Sequence, residues 1–304
     1  MNILITGGTG LVGTRLSQLL TAAGHSVAHL SRSAGAGSAY RTFRWNPLTG
    51  QLDPAAVPWA DAIVHLAGAG VMDERWTPAR KQEFLESRVR GLHLLRDALA
   101  TDGTREKALV SASAIGFYGD RGDAWLSENT PPPAPGQDFL ADVCRQWEAA
   151  ALQLRATGRR VAILRLGIVL STAGGALPEM ARPVKLGAGA ALGSGRQWLS
   201  WIHLDDACRA FVAALTNARY TGVYNVVGPA PVTNASFTRA LAAVLHRPLV
   251  LPAVPSFALR LALGERAHAL LASQRVRPDG LTERGFAFDF PEVGAALTSL
   301  YGEG

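Results

Sequence analysis

Short apolar runs at Asn2–Thr6, Ser26–Leu30, Ala62–Leu66, Ala108–Ala112 and Val161–Leu166 punctuate the first half of the chain. They are continuous rather than alternating, which is the pattern of strands covered on both faces. Between them, apolar positions recur at helical spacing over about Leu11–Ala23, Pro78–Ala100 and Gln137–Thr157. Strand–helix–strand alternation predicts right-handed crossovers and a doubly wound parallel sheet, an α/β fold. Beyond Gly167 the pattern loosens. Gly-rich loops (Gly174-Gly175, Gly187 to Gly195) and Pro-rich stretches (Pro229 to Pro231, Pro248 to Pro255) separate helices at about Asp206–Thr216 and Ser236–Leu245 and a strand at Val223–Val227. We expect a sheet domain over residues 1–170 that also takes in parts of 200–230. Residues 171–304 should form a smaller substrate-side lobe with a C-terminal extension, interleaved with it.

Composition narrows the function classes. The 304 residues are 48% hydrophobic and 18% charged, ordinary for a globular protein. No apolar run approaches the ~18 residues that span a bilayer. The opening Met1-Asn2-Ile3-Leu4-Ile5 lacks a basic segment before its apolar residues. These features predict a cytoplasmic protein with no membrane partner. The two cysteines, Cys144 and Cys208, form no CxxC, and the histidines lack ligand spacing, so neither a disulfide framework nor a metal site is expected. The net charge of +6 comes from scattered arginines rather than a basic stripe, which argues against nucleic acid as a partner.

The sharpest local signal is Thr6-Gly7-Gly8-Thr9-Gly10-Leu11-Val12-Gly13, which follows the first strand and opens the first helix. Gly7 permits the tight turn, Gly10 lets backbone approach a pyrophosphate, and Gly13 lets helix and strand pack closely. The N–H groups at the helix start, among them those of Leu11 and Val12, would receive the phosphates. This is the fingerprint of a Rossmann fold. Where NAD selectivity would place an acid at the end of the second strand, the chain has Leu30-Ser31-Arg32. Ser31 and Arg32 suit a 2′-phosphate, so NADP(H) is the expected cofactor. The third strand ends in His65-Leu66-Ala67-Gly68; the small residues let a cofactor lie across the sheet, and His65 reads as an ordered strand-end histidine.

Together, TGGTGLVG, the HLAG strand end, Ser111-Ala112-Ser113, Arg165 and Trp201-Ile202-His203-Leu204-Asp205-Asp206 resemble the short-chain dehydrogenase/reductase superfamily in its extended, NAD-dependent epimerase/dehydratase-like branch. The resemblance implies a Ser–Tyr–Lys active site, with Ser113 in the Ser position and Ser111 beside the cofactor. The Tyr-x-x-x-Lys pair is missing: alignment on Glu148 puts Leu140 at the Tyr position and Cys144 at the Lys position. Arg88 stands where that family usually has an Asn near the cofactor. With DFLADVCRQWE, GSGRQWLSWIHLDD and the tail from Ser273 to Phe288, the chain is similar to an atypical subgroup labelled "epimerase family protein". The same resemblance allows a homodimer through the helices at Pro78–Ala100 and Gln137–Thr157.

Ser113 and Tyr118 are the catalytic candidates, Ser113 to orient a substrate oxygen and Tyr118 to donate a proton. Cys144 reads as a buried hydrophobe, Asp205 as a helix N-cap, His203 as structural, and Glu128 and Asp138 as solvated. Arg196, Trp198 and Trp201 are expected to face the substrate. Two functions stay open. One is an NADP(H)-binding, nucleotide-sugar-epimerase-like oxidoreductase with a rearranged active site, acting on a small molecule. The other is a non-catalytic, NADPH-occupied binding or regulatory protein.

Overall fold

The apolar runs become the inner strands of one sheet in the computed structural model, which describes residues 1–33, 39–103 and 107–302. The chain runs β1 (Asn2–Thr6), α1 (Leu11–Ala22), β2 (Ser26–Ser31), β3 (Arg41–Asn46), β4 (Gln51–Leu52), α2 (Ala56–Trp59), β5 (Ala62–His65), α3 (Pro78–Thr101) and β6 (Ala108–Ala114). It continues through β7 (Trp125–Leu126), α4 (Phe139–Leu152), β8 (Val161–Leu166), β9 (Ile168–Leu170), α5 (Ala176–Lys185), β10 (Trp198–Leu199), β11 (Trp201–His203), α6 (Leu204–Thr216) and β12 (Gly222–Val226). The last stretch holds β13 (Val232–Thr233), α7 (Asn234–Val244), α8 (Ser256–Leu263), α9 (Ala267–Leu271), β14 (Arg275–Val276), α10 (Asp279–Glu283) and α11 (Val293–Tyr301).

The main sheet has eight strands in the order β12-β8-β6-β5-β1-β2-β3-β4. All its pairings are parallel except that of β4 on β3. This is the expected doubly wound α/β fold. Ile3, Leu4, Ile5, Val64, Val110 and Ile163 are buried in it, each worth roughly 1.5–3 kcal/mol of transfer free energy. Because β1 lies between β2 and β5, the strand order reverses at β1, where open α/β sheets bind ligands beyond their carboxyl edge.

Local chemistry sets the helix ends that matter. Pro78 opens α3 after Thr77, whose side chain accepts the Arg80 N–H. Asp138 caps α4 by accepting the Ala141 N–H at 2.9 Å. The helix expected to reach Thr157 tightens into a 3₁₀ turn over Gln153–Thr157 and stops at Gly158, which has a φ of 78°.

A second cluster gathers α5, α7 and α11 around Leu177, Trp201, Phe237, Leu241 and Leu297. The tail is fastened to α6 by Asp206, which is fully buried and accepts the N–H groups of Asp289 and Phe290 at 3.0 Å each. No helix among the described residues is long and apolar enough to cross a membrane.

Candidate cofactor and substrate site

The glycine loop is built by close approach of backbones. Gly7 has a φ of 69°, and a Cβ there would sit 2.9 Å from the Ala67 nitrogen and the Leu66 carbonyl carbon. Only glycine meets both demands. At Gly13 a Cβ would stand 2.3 Å from the Gly7 oxygen, so α1 starts directly against the turn. Gly10 carries no capping side chain, and the first-turn N–H groups of Leu11, Val12 and Gly13 point past it. A backbone cradle with an uncapped, positive helix end fits a pyrophosphate.

Thr6 ties the two strands at the crevice. Its hydroxyl oxygen accepts the N–H groups of Leu66 and Ala67 at 3.1 Å, leaving its proton for His65 Nδ1 at 2.9 Å. His65 Nε2 then donates to the Arg88 carbonyl at 3.3 Å. This pattern defines a neutral imidazole, and burial pulls its pKa down to about 4. His65 is thus the ordered strand-end residue its sequence position suggested. Arg88 donates to the carbonyls of Phe84 and Ala69 at 2.8 and 2.9 Å and stacks on Phe84. Burial brings its pKa down to about 10. Arg88 therefore fixes the loop after β5.

At the end of β2, Ser31 is half-buried and Arg32 exposed. Arg44 of β3 pairs in register with Ser31 and is also exposed, placing a second guanidinium on the same strand edge. It escaped the sequence reading because β3 itself did.

The β6–α4 corner is closed. The Ser113 hydroxyl donates to Glu148 Oε1 at 2.7 Å. Arg165 forks onto the same carboxylate, Nε to Oε1 at 2.7 Å and Nη2 to Oε2 at 2.8 Å. Its Nη1 also reaches the Tyr118 hydroxyl at 2.9 Å, and Tyr118 donates to Asn225 Oδ1 at 2.7 Å. Burial works against the Arg165 charge, but Glu148 and Tyr118 outweigh it and raise the pKa. The expectation of a proton-donating Tyr118 needs correcting. Its side chain is fully buried with its hydroxyl committed twice, and burial raises its pKa despite Arg165. Ser113 is 1% exposed and spends its proton on Glu148, so it does not present a donor to a substrate oxygen. Ser111 is equally buried and donates to the Ala112 carbonyl. Cys144 is buried as expected, its thiol pushed up to about 12 by burial and the nearby Glu148.

Four further residues take other places than the sequence implied. Trp201 does not face a substrate: it is fully buried in the second cluster and donates from Nε1 to the Ala230 carbonyl. Asp205 does not cap α6. The His203 ring does, accepting the Asp205 N–H at 3.1 Å, while the Asp205 carboxylate grips Arg15 of α1 at 2.6 and 3.0 Å. Glu128 is half-buried rather than solvated and accepts the N–H groups of Asn225 and Gly280. Trp198 bonds Asp123 and, with Trp125, sandwiches the Arg275 guanidinium at 3.9 Å on each side; Arg196 is exposed.

Asp138, also expected in solvent, is buried, and its Oδ2 lies 2.7 Å from His268 Nε2 of α9. Burial opposes the Asp138 charge, but His268 and the helix N–H groups hold its pKa below the ordinary value. His268 is raised, first by Asp138. No local pattern joins two residues 130 positions apart.

The profile of the NAD dependent epimerase/dehydratase family matches residues 3–227, and a domain of unknown function, DUF1731, matches residues 254–300. Epimerase family protein Mb2239 of Mycobacterium bovis is 41% identical over 296 residues, 97% of this chain and 96% of that protein. Epimerase family protein YfhF of Bacillus subtilis is 36% identical over 301 residues, 99% of this chain and 98% of that protein. Human epimerase family protein SDR39U1, solved with NADPH, superposes with a TM-score of 0.90 at 35% identity over the full length of both chains.

Proposed function

The chain belongs to the NAD dependent epimerase/dehydratase family, and we propose that it holds NADP(H) and acts as an oxidoreductase of a polar small molecule through a rearranged active site. The observation that carries this reading is the backbone cradle at Gly7–Gly13, where added Cβ atoms would collide with the loop itself. The exposed Arg32 beside Ser31, with no acid at that strand end, supports a 2′-phosphate. The NADPH named with human SDR39U1 supports the same cofactor. When bound, that cofactor supplies or accepts a hydride. The chain's own residues do the rest: Leu11 to Gly13 offer backbone donors to phosphates, Arg32 receives the 2′-phosphate, and Arg88 holds the loop after β5 in place.

A titration of NADPH and NADH against the wild type and Arg32→Ala tests this. Tighter NADPH binding, weakened roughly tenfold in the variant while NADH is unaffected, is the expected outcome. Equal affinity for both dinucleotides would remove the NADP(H) assignment.

A second reading is favoured by one observation: the hydroxyls of Ser113 and Tyr118 are both consumed in a buried network. On that reading the protein is an NADPH-occupied binding or regulatory module without turnover. Transfer of deuterium from 4-deuterated NADPH into any metabolite of a cell extract would eliminate it.

A further inference from the structure

The C-terminal segment reaches back over the carboxyl edge of the sheet. Arg266 donates to the Met72 carbonyl in the loop after β5, Glu265 pairs with Lys81 of α3, and His268 bonds Asp138 at the start of α4. Between this segment and the loops after β6 and before β10 lies a cleft of about 530 Å³, lined by Asp120, Ser194, Gln197, Ser256, Arg260 and His268 among others. Its polar lining mixes donors and acceptors, which suits a molecule carrying several hydroxyls.

The Asp138–His268 pair stands where proton chemistry is missing. Asp138, the N-cap of α4, lies two residues before Leu140 at the family's Tyr position, and Leu140 borders the turn after β6: a Cβ on Gly116 would sit 3.5 Å from its Cβ. The Asp138 carboxylate also borders that turn: a Cβ on Gly119 would sit 3.4 Å from Oδ2. Buried Asp138 holds Nε2, which leaves Nδ1 of the half-exposed imidazole as the nitrogen able to exchange a proton.

We propose that this cleft is the substrate chamber and that His268, oriented by Asp138, is its proton-transfer group in place of the absent Tyr-x-x-x-Lys pair, acting on a hydroxyl or carbonyl oxygen of a polyhydroxylated small molecule. With a carbonyl substrate, the carbon gains the hydride that a reduced nicotinamide gives up. The oxygen takes the proton from Nδ1, the imidazole recovers one from solvent, and Nε2 keeps its own proton, donated in a hydrogen bond to the Asp138 carboxylate, throughout. The charged groups facing the imidazole are Asp138 from α4, Asp120 from the loop after β6 and Arg260 from α8; the two acids outweigh Arg260 and burial, keeping the ring charged to higher pH than a free histidine.

This inference rests on NADP(H) binding, and the test separates the two. The full chain, labelled with ¹⁵N-histidine, is titrated by NMR with saturating NADPH and again with NADP⁺; His268→Gln assigns the resonance. The nicotinamide ring is positive only in NADP⁺. A group that serves the reacting carbon lies within about one Debye length, ~10 Å, of that charge. The His268 pKa is expected to stand above 6.5 with NADPH and to fall by roughly 0.3 or more with NADP⁺. In Asp138→Asn, which keeps a good N-cap, it is expected to fall toward 6.5. Saturation by both cofactors with identical His268 values reduces the pair to a staple for the C-terminal segment and overturns the proposal. Failure to bind either cofactor overturns the NADP(H) reading itself and this role with it.

Discussion

Two corners of the same sheet edge, the turn after β1 and the end of β6, meet opposite fates. At the β1 corner the polar groups that matter are backbone N–H groups, shaped by glycines and open at the start of α1. At the β6 corner they are side chains, and Ser113, Glu148, Arg165, Tyr118 and Asn225 satisfy one another in a buried chain. A backbone site holds its geometry whatever side chains surround it. A side-chain site can be rewired by a few substitutions, and with Leu140 and Cys144 at the Tyr and Lys positions this one turns inward. Burial makes that network costly to open, because each unpaired member would remain out of water.

Three experiments stress the contrast, in descending size of effect. Glu148→Ala leaves the Arg165 guanidinium buried without its carboxylate. Equilibrium denaturation should show a loss of about 3–5 kcal/mol, with the NADPH affinity of the folded protein nearly unchanged. A parallel drop in affinity would mean that the two corners are one unit. Acid probes His65, which ties the β1 corner to α3 through Thr6 and the Arg88 carbonyl. Its folded pKa, about 4, lies below the ordinary 6.5, so the unfolded chain takes up the proton first. Its contribution is therefore full above pH 6.5 and fades as the pH falls through about 4, amounting to roughly 3 kcal/mol over that window. A His65→Asn variant should show a flatter stability profile over the same range; an unchanged slope would assign the acid sensitivity elsewhere. The smallest effect is on binding. Gly13→Ala sets a methyl against the Gly7 carbonyl and should weaken NADPH about a hundredfold, near 2.7 kcal/mol, while leaving the β6 corner folded by near-ultraviolet circular dichroism.

The fold was legible where burial is uniform. Continuous apolar runs marked the inner strands within one or two residues, and the glycine turn was readable because a short segment carries its whole geometry. β3 was hidden because its exposed positions carry Arg41 and Arg44, giving an alternation of exposed and buried positions rather than an apolar run. α5 was hidden by Pro183 inside the helix. At the site, the loss of Tyr and Lys was plain in the sequence, but what occupies their space was not. Glu148 served as an alignment landmark, with nothing local to say that its carboxylate bridges Ser113 and Arg165. The His203-x-Asp205-Asp206 stretch invited a capping reading, yet its acids serve distant partners, Arg15 on α1 and the backbone at residues 289 and 290. His268 gave no signal, since only the return of the C-terminal segment brings it to Asp138.

The grip of Asp206 on that returning tail bears on how the molecule is made. A carboxylate at the start of α6 finds two of its three partners more than 80 residues later. During synthesis the strands of the main sheet emerge well before those partners, and a carboxylate buried without them would bear an uncompensated desolvation cost. The final packing at the head of α6 therefore waits for residues 289 and 290, and a chain cut short before them lacks the two backbone donors that satisfy the buried Asp206 carboxylate.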